Sequence, residues 1–188
     1  MLLFRAPQFP DYLPLTEFLS GRRSVVFLGA TLGSLSSPDR PETAGLLTQL
    51  AQAGVPMTFG LVDPAAPAHV HESLATWLGA SPDDVKGRLG TTLRFLLRLR
   101  AEAGPHAWRV AIRGLQVLPS SGVAMVDHET PAILARLALY PMQATPRYDP
   151  FIEGDRSTPE GRTLCDLCIN HFTRLIATSR DLSGVSYG

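Results

Sequence analysis

The chain has 188 residues, 45% of them hydrophobic, and sets seventeen basic side chains against seventeen acidic ones. That length suits one well-buried core, and the cancelled charge supplies no global field to gather nucleic acid or an anionic membrane. Its two cysteines lie three residues apart, which makes no secreted disulfide framework, and no apolar run approaches the roughly 20 residues that span a bilayer.

Met1 to Arg5 runs into Ala6-Pro7 and Pro10-Asp11 without the charged and apolar regions of a secretory leader. A cytoplasmic location with no membrane partner is therefore expected. Residues 1–20 read as an N-terminal extension in which Leu13 to Leu19 forms a short helix. Ser24 to Gly29 is almost wholly apolar, the pattern of a strand buried on both faces. Residues 41–53 predict a helix with Leu46, Leu47 and Leu50 on one side and Gly54 as its stop. Val55 to Val62 is a second buried strand, ended by Asp63-Pro64.

An amphipathic helix follows, with Val70, Leu74, Trp77 and Leu78 at helical spacing and Gly79 closing it. Ser81-Pro82-Asp83-Asp84 combines a capping hydroxyl, a proline suited to the first turn and two acids facing the helix dipole. That helix is expected to reach Ala103 with Val85, Leu89, Leu93, Leu96 and Leu97 turned inward. Trp108 to Arg113, Leu115 to Leu118, Gly122 to Asp127 and Ile133 to Tyr140 are short β-like runs close enough for hairpins. Pro141 to Pro159 reads as a long Pro/Asp/Gly-rich loop. A last helix, about Glu160 to Ser179, is expected to bury Leu164, Leu167, Cys168, Phe172, Leu175 and Ile176. The order predicts an α/β fold over residues 1–188: a mixed, partly parallel sheet sandwiched by helices, its first strands joined by a right-handed crossover.

Three segments, Val25 to Leu32, Gly54 to Pro64 and Leu137 to Pro141, together with the junction Leu78-Gly79-Ala80-Ser81-Pro82, resemble half of a phospholipase D superfamily domain. The likeness covers about residues 20–180 and is nearest to the single-copy sensor domains of bacterial regulators. The catalytic motif of that superfamily reads H-x-K-x-x-x-x-D. Here Ser120 and Gly122 stand at the His and Lys positions, and Asp127 at the Asp position. The resemblance implies a site made by two chains, a histidine nucleophile and lysines that neutralise phosphate. A hydroxyl and a bare glycine replace both groups, so the expectation is a homodimeric binding or sensor domain without catalytic residues. It would hold a phosphorylated or nucleotide-like ligand and need no metal or cofactor. Thr31, Asp63, Ser120, Ser121, Asp127, Arg136, Tyr140 and Arg147 are the expected ligand-binding residues.

Other constellations have their own readings. Pro119 to Gly122 consists of ordinary turn residues, and Gly29 to Ser34 matches neither a dinucleotide fingerprint nor a P-loop. From 86 to 113 there are seven bases against one acid, Glu102, which offers an alternative as a protein or nucleic-acid interaction module. A second alternative is a phosphodiesterase or nuclease that uses His128, Asp127 and Arg136. Cys165, Cys168 and His171 form C-x-x-C-x-x-H, but helical spacing and apolar neighbours point to core cysteines. His69, His71 and His128 read as surface residues. Arg136 interrupts an apolar strand and needs a partner, with Asp127 or Glu129 the nearest acids in sequence.

Overall fold

The computed structural model describes residues 2–5, 14–37, 41–139 and 151–185, and among them eight strands form one mixed sheet. Strand β1 (Leu2–Arg5) and the short helix α1 (Leu15–Leu19) open the chain. The apolar run becomes β2 (Val25–Leu28), every residue of which is buried. After the 3-10 turn Gly33–Leu35 come α2 (Pro41–Gln52) and β3 (Met57–Val62). Helix α3 (Ala68–Leu78) ends on Gly79 in the left-handed conformation at φ 59°, which costs glycine nothing. Helix α4 (Pro82–Glu102) starts on a complete capping box. The Asp84 amide donates to Ser81 Oγ at 3.1 Å, and Ser81 N donates back to the Asp84 carboxylate at 3.4 Å.

A 3-10 segment, Gly104–Arg109, leads into β4 (Val110–Leu115), and β5 (Ser121–Val126) and β6 (Leu134–Leu139) follow. Strand β7 (Phe151–Asp155), helix α5 (Pro159–Ala177) and the two-residue β8 (Arg180–Asp181) complete the chain. The spatial order is β1-β7-β6-β5-β2-β3-β4-β8, with β2, β3 and β4 parallel and every other pairing antiparallel.

Both crossovers, β2 to β3 and β3 to β4, step in the same direction, so right-handedness puts their helices on one face. There α1 to α4 bury Phe18, Leu47, Leu74, Leu89 and Leu96 against Phe27, Phe59 and Ile112. The opposite face packs Val26, Leu28, Val123, Met125 and Leu137 under α5. Strand alternation divides the two cores: Val25 and Phe27 face the four helices, whereas Val26 and Leu28 face α5.

Several expectations need correcting. The run from Leu115 to Leu118 is not a strand of its own. β4 and β5 form no hairpin, because β3 and β2 lie between them. Inside the expected long loop, residues 151–155 are the inner strand β7, and β1 and β8 were not anticipated. Leu167 is 53% exposed rather than inward. At 100° per residue it sits about 130° from the centre of the face formed by Leu164, Cys165, Cys168, Phe172 and Ile176.

Candidate functional site

The three parallel strands end together, and the chain crosses over those ends. Five residues, 116–120, carry it from Leu115 at the end of β4 to Ser121 at the start of β5. That link passes the carboxyl ends of β3 and β2. Strand order also reverses there, with β5 on one side of β2 and β3 on the other. In open α/β sheets a crevice at such a switch point is where ligands are held. The β2/β5 register runs from Val25↔Val126 to Leu28↔Val123, and continuing it three residues brings Thr31 level with Ser120. Thr31, Asp63, Ser120 and Ser121 therefore share one edge of the sheet.

Two expected residues lie elsewhere. Asp127 ends β5 at the opposite edge, seven residues and about 23 Å of extended strand from Ser120. Its carboxylate accepts from the amides of Arg23 at 2.7 Å and Ser24 at 3.2 Å, with the Arg22 guanidinium 3.7 Å away. Asp127 adopts φ 53°, a conformation that aspartate tolerates better than most residues. It fastens the start of β2, at the end of the sheet opposite Thr31. Arg136 lies mid-strand on the helix-covered face, 2.6 Å from Glu153 and above the rings of Phe18 and Phe151 at 4.1 and 4.8 Å. The register sets Arg136 directly opposite Glu153 on β7, so its partner is neither Asp127 nor Glu129. Tyr140 and Arg147 fall outside the described residues.

Within the shared edge, Asp63 is fully buried and its carboxylate is saturated. Oδ1 accepts from the Ala65 amide and Arg180 Nη2 at 2.8 and 2.9 Å, and Oδ2 from Gln116 Nε2 and Arg180 Nε at 2.9 and 2.8 Å. A Cβ on Gly114 would stand 2.7 Å from Oδ2, so that position must stay bare. Asp63 is a clamp on the C-terminal segment, with no lone pair left for a ligand. His71, expected at the surface, is buried and its Nε2 donates to the Asp63 carbonyl at 3.0 Å. His69, two residues earlier on the same helix, is exposed.

Thr31 borders an open cleft of about 610 Å3 between the loop after β2 and the first half of α4. Ser36 and Ser37 share its wall with Thr31, and Asp83, Asp84, Gly87, Arg88, Thr91 and Thr92 face them. Ser36 Oγ lies 3.4 Å from Thr92 Oγ1 and ties loop to helix. Leu32, in the same loop, holds φ 51°, a left-handed conformation that costs a branched apolar residue about 1 kcal/mol or more. Strand parity points Ser120 toward this helix side and Ser121 toward α5. The Ser121 main chain meets the His171 ring, whose Nε2 is buried without a hydrogen-bond partner among the described residues. Desolvation lowers the pKa of that ring, and the contact with Ser121 opposes the shift.

The remaining constellations dissolve into structure. Cys165 and Cys168 are buried under α5, Cys165 Sγ lies 3.6 Å from the Gly154 carbonyl, and burial pushes the Cys168 thiol up to about 12. No three His, Cys, Asp or Glu side chains converge among the described residues. Of the seven bases of 86–113, Lys86, Arg88, Arg94 and Arg98 stay exposed along α4, whereas three are drawn into local bonds. Arg100 donates to the carbonyls of Ala107 and Val110, Arg109 to that of Gly54, and Arg113 to Ser179. His128 contacts Ser24 Oγ at 3.3 Å and the edge of the Phe172 ring. It lies beside Asp127, well away from the crevice. Gln116, Arg180, Ser36 and Thr92 were missed in the sequence because only the crossing link and the loop–helix packing bring them to the edge.

No family model, curated protein or solved structure matches the chain.

Proposed function

We propose that this chain is a non-catalytic, phospholipase D-like domain that works as a pair of chains and binds a small polar ligand at the carboxyl ends of β2 and β3. One observation carries the reading. The open cleft begins at Thr31, at the point where strand order reverses, and Ser120 stands level with Thr31 across the β2/β5 register. At the two positions where the motif asks for an imidazole and an ammonium, the strand offers a hydroxyl and a hydrogen atom. That combination has no nucleophile with an adjacent base, and the cleft wall itself is made by Thr31, the loop after it and α4, with Ser120 and Gly122 outside its lining.

The enzymatic alternative built on His128, Asp127 and Arg136 gains no support from their geometry. Asp127 is committed to two backbone amides, Arg136 to Glu153, and the two sit on different parts of the sheet. The test is a thermal-shift screen of the full chain against small polar metabolites, run beside a chromogenic phosphodiester assay and a measurement of mass in solution. The reading expects a ligand-dependent rise in Tm, no turnover and a dimer. Turnover that vanishes in His128→Ala would overturn the binding-only reading, and a monomer that still binds would remove the paired-chain part of it.

A further inference from the structure

The cleft beside Thr31 has a chemistry narrower than "polar", and this inference rests on the binding reading above. We infer that it takes a small sugar carrying a single phosphate or carboxylate. Hydroxyls are the commonest polar group on its wall. Thr31 Oγ1 accepts from the Gly33 amide at 3.4 Å and keeps its own proton to donate, while Ser36 Oγ donates to the Gly33 carbonyl at 3.3 Å, touches the buried Thr92 Oγ1 at 3.4 Å and keeps a lone pair to accept. Such groups both donate and accept, as sugar hydroxyls do.

Among the described residues, two charged groups decide the rest. Asp84 is spent on the helix cap through Ser81, whose Oγ donates to it at 2.7 Å. Asp83 and Arg88 face the cleft; among the described residues neither makes a hydrogen bond, and beyond the Ser81 bonds the Arg88 charge also acts on Asp84 one helical turn away, lowering its pKa. A free carboxylate accepts from two neighbouring hydroxyls, and a guanidinium grips one anionic group through paired donors. A ligand with several phosphates would bring its excess charge against Asp83 and Asp84. Among the described residues no aromatic ring lines the cleft, so none of them stacks a nucleobase there.

Gly87 adds a separate indication. It sits inside α4, where glycine is unfavourable, and a Cβ there would meet nothing within 4 Å. No packing constraint accounts for it, and its bareness leaves space beside a helix turn whose Gly87 carbonyl accepts from Thr91 Oγ1 at 3.0 Å.

The experiment is calorimetric titration of the full chain with ribose 5-phosphate, ribose, inorganic phosphate and inorganic triphosphate. Ribose 5-phosphate is expected to bind about tenfold or more tightly than ribose or phosphate. Gly87→Leu, which fills open space without touching the core, should weaken it by a similar factor. Asp83→Asn, at an exposed position, should erase the preference over inorganic phosphate. Tightest binding by triphosphate would overturn the ligand class and leave the cleft as the site. Binding unchanged in Gly87→Leu would overturn the cleft and leave binding elsewhere on the chain. If none of the four binds, the sugar assignment fails, and the broader reading falls only if the metabolite screen is silent as well.

Discussion

Arg180 grips Asp63 with two parallel hydrogen bonds, Nε to Oδ2 at 2.8 Å and Nη2 to Oδ1 at 2.9 Å, across 117 residues of sequence. The carboxylate is fully buried while the guanidinium is half exposed, so the two residues do not share the consequences of mutation equally. Removing Arg180 leaves a buried anion with Gln116 and the Ala65 amide as donors. Arg180→Ala should cost about 1–3 kcal/mol, below the range for a fully buried pair because water screens the guanidinium. Asp63→Ala strands two donors as well and should cost more. Urea denaturation of both variants checks the order, and an Arg180→Ala chain as stable as the parent would show that the clamp contributes little.

Arg136 and Glu153 behave differently because both are buried. Losing one partner removes the nearest opposite charge from the other, a cost of up to about 3–5 kcal/mol for a buried pair. Replacing both with apolar residues of similar volume should recover most of it. The cycle of Arg136→Met, Glu153→Leu and the double variant tests this. If ligand binding survives in the folded double variant, Arg136 is a structural residue and not a ligand contact.

Cysteine reactivity follows from burial. Desolvation first, and then the neighbouring Cys165, raise the Cys168 thiol to about 12. Native protein at pH 8 should therefore react very slowly with a thiol-specific disulfide reagent at Cys168, and rapidly once denatured. Fast stoichiometric labelling of the native chain at Cys168 would contradict the packing of α5.

His171 makes stability depend on pH in a defined direction. Desolvation holds its folded pKa below the ordinary 6.5, and contact with the Ser121 main chain only partly offsets this. Between the two values the unfolded chain binds more protons than the folded one. The His171 contribution is thus complete above about pH 6.5 and is lost as pH falls from there toward the folded value. Melting curves of the parent and His171→Gln across that interval should differ in slope, the parent losing more stability on acidification. Parallel profiles would place the acid sensitivity elsewhere.

Much of the architecture was legible because it is written locally. The uninterrupted apolar runs gave β2 and β3, and the Ser81-Pro82-Asp83-Asp84 cap gave the start of α4 to within a residue. Strand β7 was hidden because Glu153 and Gly154 break its apolar pattern, and Glu153 is matched there by Arg136 one strand away. Pairing register is not visible along a chain, so the nearest acids in sequence were mistaken for the partner. The candidate site divided along the same line. Thr31, Asp63, Ser120 and Ser121 do meet at one edge, as strand ends should. Asp127 could have been set apart from sequence alone, since a seven-residue separation along a strand carries the far residue to the other end of the sheet. Gln116 and Arg180 needed the crossing link and the return of the chain after α5, which no periodicity announces.

The first and last strands occupy opposite margins of the sheet. Eight strands have seven gaps of about 4.8 Å, so β1 and β8 stand about 34 Å apart. Loosening of either edge strand thus begins at its own margin, without disturbing the hydrogen bonds at the other. Amide exchange should show two fraying fronts advancing toward β2, and dyes at positions 3 and 181 would follow them one at a time through energy transfer.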